Sequence, residues 1–389
     1  MFDEKYMRAA ITLAKKGIGA VNPNPLVGAV IVKDDQIIGQ GYHKAYGGLH
    51  AEREAFKNLT QNAEGADMYV TLEPCCHHGK QPPCVEAIVE HKIKRVYVGS
   101  DDPNSLVSGK GYEYLREHGI EVHTHILKDE CDALNDIFFH YITTKTPYVI
   151  MKYAMTMDGK IASYTGKSKW ISNEASRYNS QELRNRCSGI MVGIGTVFAD
   201  DPMLTCRLGG GYNPIRIICD TKLRIPLDSK IVKTAGEVRT IVAAGESIKG
   251  KINLDDKSDL ESVINNRNDI DNKIDIKDKY NELIKRNVEV IFIEEEDGKI
   301  NLKKLMNKLG ELEIDSVIIE GGGTLNYSSL EAEIVNEVMI YMAPKLLGGK
   351  EALTAVEGQG FEEPDLAAHF TLKEVKNLDG DLLIRYVAK

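Results

Sequence analysis

His50-Ala51-Glu52-Arg53-Glu54-Ala55-Phe56, followed by Glu73-Pro74-Cys75-Cys76-His77-His78-Gly79-Lys80-Gln81-Pro82-Pro83-Cys84, decides how the first part of this chain folds. Apolar residues at Ala51, Ala55, Phe56 and Leu59 recur at helical spacing, so a helix begins just after His50. Cys84 opens a second helical stretch with Val85, Ile88 and Val89 on one face. Between the two, Met68 to Leu72 reads as a buried strand that runs into Glu73-Pro74. A strand, a loop and two helix starts bring His50, Cys75 and Cys84 to one point while Glu52 faces the opening.

Those residue types make a zinc ligand set, His50, Cys75 and Cys84, with one carboxylate held in reserve. Three protein ligands leave the fourth tetrahedral position to water, whose pKa falls to roughly 7. Glu52 is close enough to a ligand to take a proton from that water and pass it to a leaving amine. Cysteines near helix starts have depressed pKa values, which favours the thiolate that zinc requires. The zinc deaminase signature is H-x-E followed by P-C-x-x-C. Here the first half matches and the interval between Cys75 and Cys84 is longer. A lone H-x-E triplet is usually a solvated helix start, and Cys76, His77 and His78 are spare donors for a closed structural site. The helix–strand–helix pattern favours the open, catalytic arrangement, and the spare donors are not assigned as ligands.

At 389 residues the chain is long enough for two or more domains with full cores. A formal net charge of -9 argues against a general nucleic-acid binder, whose phosphate contacts need a basic face. Local Lys/Arg pockets for a phosphorylated small molecule remain compatible with it. The seven cysteines have no framework-like spacing, which suits a reducing compartment. The start, Met1-Phe2-Asp3-Glu4-Lys5, lacks a signal-peptide core, and no run approaches the ~20 apolar residues of a spanning helix. A cytoplasmic protein with no membrane partner is expected.

Working outward, the first ~145 residues alternate helix and strand, the pattern of an α/β layer fold. Tyr6 to Lys16 and Tyr112 to His118 read as helices, and Leu26 to Val32, Arg95 to Gly99 and Glu121 to His125 as strands. Asp101-Asp102-Pro103-Asn104 follows a strand at the end where open α/β sheets bind ligands. Thr143 to Pro147 looks like a connector, and the pattern then restarts. Strands are expected at Tyr148 to Ala154, Ile190 to Gly195, Ile215 to Asp220, Val288 to Ile293 and Ser316 to Glu320. The expected domains are 1–146 and 147–389, with 251–280, dense in Asn, Asp, Lys and Ile, as a polar surface insertion.

Ile318-Ile319-Glu320-Gly321-Gly322-Gly323-Thr324-Leu325 reads as a strand, a glycine turn and a helix start. Such a turn lets backbone N–H groups approach a phosphate, and a tight turn without any ligand explains the glycines equally well. Two better-known phosphate loops are excluded. Gly193-Ile194-Gly195 has Phe198 where a third glycine belongs, and Gly166-Lys167-Ser168 has Ile161 where a P-loop needs its leading glycine.

Together these residues resemble the bifunctional deaminase–reductases of riboflavin biosynthesis over nearly the whole chain. The resemblance rests on Asn22-Pro23-Asn24-Pro25-Leu26-Val27-Gly28, His50-Ala51-Glu52, Glu73-Pro74-Cys75, Gly79 to Cys84 and Asp101-Asp102-Pro103-Asn104. It continues through Met157-Asp158-Gly159-Lys160, Asp200-Asp201-Pro202-Met203-Leu204-Thr205 and Glu320-Gly321-Gly322-Gly323. It implies a cytidine-deaminase-like α/β/α domain followed by a dihydrofolate-reductase-like α/β domain. The first would hydrolyse the 2-amino group of 2,5-diamino-6-(5-phosphoribosylamino)pyrimidin-4(3H)-one. The second would use NADPH to reduce the ribosyl chain of 5-amino-6-(5-phosphoribosylamino)uracil to ribityl.

Carried over position by position, the resemblance implies that His50, Cys75 and Cys84 hold Zn2+, that Glu52 shuttles protons, and that Lys80 and Asn104 hold the phosphoribosyl part of the first substrate. It implies NADPH contacts at Ala154, Trp170, Thr196, Asp200 and Thr221, and along Gly322, Gly323, Thr324, Leu325, Asn326, Tyr327 and Ser328. Thr221, with Lys222 and Arg224 nearby, is placed to recognise the 2′-phosphate. Ser168, Arg184, Leu204, Arg207 and Glu320 match substrate positions, and the two arginines suit a phosphate. Asp200, Glu320 or Lys152 would assist proton transfer, an order that the sequence does not rank. The resemblance also implies a homo-oligomer. The competing reading is a deaminase of another base or nucleotide with a non-catalytic C-terminal binding or dimerisation module.

Overall fold

Along the first strands, successive side chains go to opposite faces of one sheet, and both faces are covered. The structure is a computed structural model that describes residues 3–78, 81–104, 107–253 and 275–389. The chain divides into two compact units, Met1–Pro147 and Tyr148–Lys389. Unit 1 begins with α1 (Glu4–Ala14), β1 (Gly28–Lys33), β2 (Gln36–Tyr42), α2 (Ala51–Lys57), β3 (Asp67–Leu72) and α3 (Cys84–Glu90). It continues with β4 (Arg95–Ser100), α4 (Lys110–Glu117), β5 (Glu121–His123), α5 (Lys128–Asp132) and α6 (Asp136–Thr144). The strand order is β2-β1-β3-β4-β5. β3, β4 and β5 are parallel, and β1 is antiparallel to both its neighbours.

The alternation builds three layers. Ala29, Ile31, Met68, Val70, Val96 and Val98 join Ala55, Ile88 and Leu115 of α2, α3 and α4 in one core. Val30, Val32, Tyr69 and Tyr97 join Met7 and Ile11 of α1 in the other. Each fully buried side chain of this kind contributes about 1.5–3 kcal/mol. β2 has no counterpart in the pattern read from sequence, because Gly39 and Gly41 interrupt it. Those glycines have a packing reason. A Cβ on Gly41 would stand 2.4 Å from Ala51 O and Ala55 N, so α2 lies directly on the strand. The helix that carries Glu52 is seated by that contact.

Unit 2 starts with β6 (Tyr148–Thr156), α7 (Glu174–Arg186), β7 (Gly189–Gly193), α8 (Ile194–Asp200), β8 (Ile215–Cys219) and α9 (Lys230–Lys233). Then come β9 (Thr240–Gly245), α10 (Glu246–Asn253), α11 (Ile276–Lys285), β10 (Val288–Ile293) and a ribbon of β11 (Glu295–Glu296) and β12 (Lys299–Ile300). It closes with α12 (Leu302–Glu311), β13 (Ser316–Ile319), α13 (Gly323–Glu331), β14 (Glu337–Ala343), β15 (Phe370–Leu378) and β16 (Asp381–Ala388). The sheet order is β10-β9-β8-β7-β13-β6-β14-β16-β15. The strands from β10 to β14 are parallel, and β16 and β15 add an antiparallel edge. Leu305, Met306 and Leu309 of α12 pack on Val149, Met191, Ile217, Ile241 and Val317.

Two expectations change here. The strand expected to reach Gly195 stops at Gly193, and α8 starts at Ile194, because the helix turns back at once over the sheet. Of the polar insertion expected over 251–280, residues 254–274 lie outside the described residues. Its last part is α11, which buries Lys279 and Leu283 and so belongs to the packed fold. No helix among the described residues is long and apolar enough to cross a membrane.

Candidate functional site

In unit 1 three elements deliver one donor each. His50 is the residue before α2, Cys75 follows β3 through Glu73-Pro74, and Cys84 begins α3. Their ligand atoms lie within 4.8 Å of one another. His50 Nδ1 stands 3.4 Å from both sulfurs. Nitrogen and sulfur donors at zinc distances and near-tetrahedral angles stand about 3.5 Å apart, so the spacing fits the ion. The Cys84 N–H donates to Cys75 Sγ at 3.4 Å. The contact with Cys84 holds the Cys75 thiol down at about 4, against the opposing cost of burial. The same contact, with burial, pushes Cys84 well up. A divalent cation is the charge that lets both sulfurs shed their protons.

Glu52, 4% exposed, sits one step along α2 from that triad, with its carboxyl raised by burial and then by the charge of Cys75. His50, Glu52 and Cys75 line a cavity of about 300 Å³ whose wall also includes Asn24, His43, His77, Asp102 and Asn104. That volume is at the lower end of small-molecule sites. His43 donates from Nδ1 to Leu49 O at 3.0 Å, and its Nε2 accepts from Asn24 Nδ2 at 3.0 Å. Leu49 precedes His50, so this bond fixes the backbone that presents the ligand. Burial holds the His43 ring below its usual range, in keeping with the neutral tautomer these bonds define. Glu73 accepts from the N–H groups of Gly109 and Gly111, both at 3.0 Å, and so ties the loop after β4 to the cysteine loop. Asp102 is pushed up to about 6 by burial, and its Oδ1 accepts from the Asn104 N–H. His77 Nδ1 is a buried polar atom with no hydrogen-bond partner among the described residues, a place for a ligand group on the cavity wall.

Unit 2 gathers its charge where parallel strands end, the usual ligand edge of such a sheet. Ile319 of β13 is in register with Met151 of β6, which sets Glu320 beside Lys152. Arg184 of α7 grips Glu320 through two parallel bonds, Nε to Oε1 at 2.9 Å and Nη2 to Oε2 at 2.6 Å. Lys152 Nζ stands 3.9 Å from Glu320 Oε2. Burial works to raise Glu320, but Lys152 and Arg184 outweigh it and hold the carboxyl at about 2. Lys152 is lowered by burial, with Glu320 opposing. Arg184 also donates to Thr205 O at 2.9 Å, and Gln181 accepts from the Arg207 N–H at 2.9 Å, so α7 pins the loop that carries Leu204 and Arg207. Leu204 is buried with a left-handed backbone, φ 50°, uncommon for leucine.

Beside this pair, β7 and β13 are neighbours: β7 runs directly into α8 after Gly193, β13 reaches α13 through Glu320-Gly321-Gly322, and no side chain caps the first turn of either helix. A Cβ on Gly195 would meet nothing within 4 Å, and one on Gly322 only Thr196 Oγ1 at 3.9 Å. Open glycine backbone at two adjacent helix starts fits a dinucleotide's phosphates.

Residues 1–100 match the cytidine and deoxycytidylate deaminase zinc-binding region, and residues 147–384 the RibD C-terminal domain. The riboflavin biosynthesis protein RibD of Actinobacillus pleuropneumoniae is 47% identical over 387 residues, covering 100% of this chain and 96% of that protein. The Escherichia coli protein of that name is 34% identical over 400 residues, with 100% of both covered. The chain belongs to the RibD family. Among solved structures, a Thermotoga maritima diaminohydroxyphosphoribosylaminopyrimidine deaminase/5-amino-6-(5-phosphoribosylamino)uracil reductase superposes with TM-score 0.82 at 36% identity, covering 99% and 98% of the two chains. Acinetobacter baumannii RibD gives TM-score 0.82 at 35% identity, again over 99% and 98%. RibD membership brings with it a zinc-binding deaminase domain and an NADPH-dependent reductase domain.

Against that family frame, the structure lines one cavity with His50, Cys75, Glu52 and Asn104, and buried Cys84 joins His50 and Cys75 in the donor cluster. Lys80 lies outside the described residues. Arg184 and Glu320 meet directly, and Arg207 acts on Glu320 by its charge. Ala154 lies on β6 two residues beyond Lys152. Trp170 and Ser168 are exposed, with the Arg177 guanidinium 4.6 Å above the Trp170 ring. Thr196 and Asp200 lie on α8, Asp200 at its exposed end. The Thr221 hydroxyl accepts from the Ile300 N–H at 3.3 Å, which ties it to the ribbon.

Along α13 the expectation narrows. Leu325 is packed in the core, Asn326 donates to Ala355 O at 2.7 Å, and the Tyr327 hydroxyl donates to Gly360 O at 3.0 Å. Those side chains are committed; of the rest of the expected stretch, Gly322 and Thr324 are accessible, Gly323 is buried against Glu357, and Ser328 is half-buried. Sequence reasoning gave no role to His43, Asn24, Asp102 or His77. Asn24 and Asp102 stood inside quoted motifs, whereas His43 is a loop histidine with no local signal.

Proposed function

We propose that unit 1 deaminates 2,5-diamino-6-(5-phosphoribosylamino)pyrimidin-4(3H)-one and that unit 2 reduces the deaminated product with NADPH, two consecutive steps of riboflavin biosynthesis. The observation that carries this reading is the convergence of His50, Cys75 and Cys84 beside a buried Glu52. Zinc held by those three would supply the Lewis acidity that makes water nucleophilic near neutral pH. Glu52, with its carboxyl raised by burial, is suited to accept a proton and return it to the leaving amine. His43 and Asn24 hold the backbone at His50, while Asn104, Asp102 and His77 offer polar groups to the pyrimidine and its sugar. Lys80 would add a cation for the phosphate.

In unit 2, NADPH supplies a hydride, and the uncapped starts of α8 and α13 would hold its phosphates. Arg184 and Arg207 would receive the substrate phosphoribosyl group beside Ser168 and Leu204. Glu320 is bound through two bonds to Arg184 and held ionised, which makes it a poor proton donor. Lys152, buried and lowered, is the better candidate for proton transfer during ring opening, and Asp200 is exposed at a helix end. The intact Lys152–Glu320–Arg184 cluster is what disfavours a non-catalytic C-terminal module. Cytoplasmic residence fits the seven thiols, all free. Self-association fits the family and is checked by light scattering.

The test is to give purified protein the diaminopyrimidinone, follow ammonia, then supply deaminated product and follow NADPH oxidation. Both activities are expected. Ammonia without NADPH consumption would instead support the module reading.

A further inference from the structure

Lys152 is a cation set in the middle of a sheet strand, where its ammonium needs more than one partner to stay charged. The neighbouring strand β14 runs parallel to β6, with Met339 opposite Lys152 and Tyr341 opposite Ala154. Residues two apart on a strand share a face, and paired positions on adjacent strands point the same way. Lys152, Ala154, Met339 and Tyr341 therefore lie on one face, which α7 reaches through Asn179 and Arg184.

Tyr341 is 1% exposed. Its hydroxyl donates to Asn179 Oδ1 at 2.9 Å, and the Asn179 amide donates to Glu182 Oε2 at 2.8 Å, which fixes the end of the amide that meets the phenol. Burial, and after it the charge of Glu320, pushes this phenol up, so the ring is neutral. With its hydroxyl committed to α7, Tyr341 offers Lys152 the face of its ring. Nζ stands over that face, 5.4 Å from the centroid. The distance is within reach of a cation–π attraction, which is stronger where water is excluded.

The charges around Lys152 leave room for that contribution. Burial and Arg184 of α7 work against its ammonium, and Glu320, after β13, works for it. Both oxygens of Glu320 are already taken by Arg184, and Arg207 acts on the same carboxylate. Around Tyr341 itself stand Glu182 of α7, Glu337 at the start of β14 and Arg385 of β16, which is paired with Glu337. In ring opening the C1′–O bond breaks and its electron pair goes to the ring oxygen, which takes the proton from Lys152. The exocyclic nitrogen lone pair closes the C=N bond, and the NADPH hydride then adds to C1′. A lysine serves as that acid only while it is charged.

We propose that Tyr341 is a positioning residue of the reductase step, its ring holding the Lys152 ammonium beside an already occupied Glu320. The proposal rests on the reading of unit 2 as the reductase with Lys152 as its proton donor.

The experiment is the pH profile of kcat/KM for the deaminated product at saturating NADPH, on the full chain, Tyr341→Phe and Tyr341→Leu, with melting curves as the folding control. The alkaline limb reports the loss of the Lys152 proton. Removing the ring destabilises the ammonium, so the limb of Tyr341→Leu should move down by about one pH unit, a loss of roughly tenfold on the limb. Tyr341→Phe keeps the ring face and loses only the bond to Asn179, so its limb should stay where the unaltered chain has it. If the leucine variant does not fold, fluorinated phenylalanines at position 341 keep the shape while draining the ring, and should move the limb down stepwise with each added fluorine. A limb displaced equally by Phe and Leu, one unmoved by Leu or by the fluorinated rings, or an unaltered chain with no alkaline limb overturns the proposal and leaves the reductase reading intact. No NADPH oxidation by the unaltered protein overturns that reading as well.

Discussion

The two sites are made from different parts of the chain. In unit 1 every proposed ligand is a side chain of a distinctive type, and the three donors already stand at contact distance of one another. In unit 2 the proposed cradle is backbone at Gly193, Gly195 and Gly322, and the side chains around it are ordinary arginine, lysine and glutamate. A metal site has to be preorganised by cores on both sides of a sheet, because ligand atoms must meet within tenths of an ångström. A nucleotide cradle needs mainly an uncapped helix start and the absence of a side chain. The first therefore fails through single atoms, and the second through charge and space.

That contrast can be broken at several points. The largest effect should come from removing zinc by chelation, or from Glu52→Gln. Ammonia release should fall roughly 10²- to 10⁴-fold, as expected for loss of a general acid–base, while NADPH oxidation with deaminated substrate is unchanged. Parallel loss of both activities would deny that the units work separately. Next is Glu320→Gln in unit 2. It leaves Lys152 and Arg184 without their shared carboxylate, and breaking a buried pair costs about 3–5 kcal/mol.

The pH dependence of that loss has a definite sign. Glu320 is held at about 2, below its unfolded value, so its contribution is present above roughly pH 4.5 and fades as pH falls toward 2. Denaturant midpoints of wild type and Glu320→Gln should converge as pH falls from about 4.5 toward 2. A constant gap would show that the pairing is not what stabilises unit 2. Smallest is Gly41→Ala. A methyl 2.4 Å from Ala51 O must push α2, costing about 1–3 kcal/mol and reducing ammonia release without touching the reductase. Unchanged stability would mean that α2 is not seated by that contact.

How much was legible follows the same division. His50, Cys75, Cys84 and Glu52 announce themselves by type and spacing, and several buried strands by their apolar runs, but wholly buried β9 and largely buried β14 have no counterpart in the sequence reading. Leu325, Asn326 and Tyr327 could not be sorted into core and surface without knowing which side of α13 meets the sheet. β15 gave no signal, because an exposed edge strand such as Phe370–Leu378 carries Lys and Glu among its apolar residues. His43 acts through Leu49 and Asn24, contacts that exist only after β2 and α2 are packed together. Lys279 was hidden in a polar stretch, since burial of one lysine against Asp220 leaves no trace in composition.

The most direct test of the central claim is X-ray absorption at the zinc edge on the purified chain, with metal content measured in parallel. One zinc per chain, surrounded by two sulfurs and two lighter atoms and lost in Cys84→Ala, is the predicted result. Three or more sulfurs around the metal, or full zinc retained in Cys84→Ala, would contradict it.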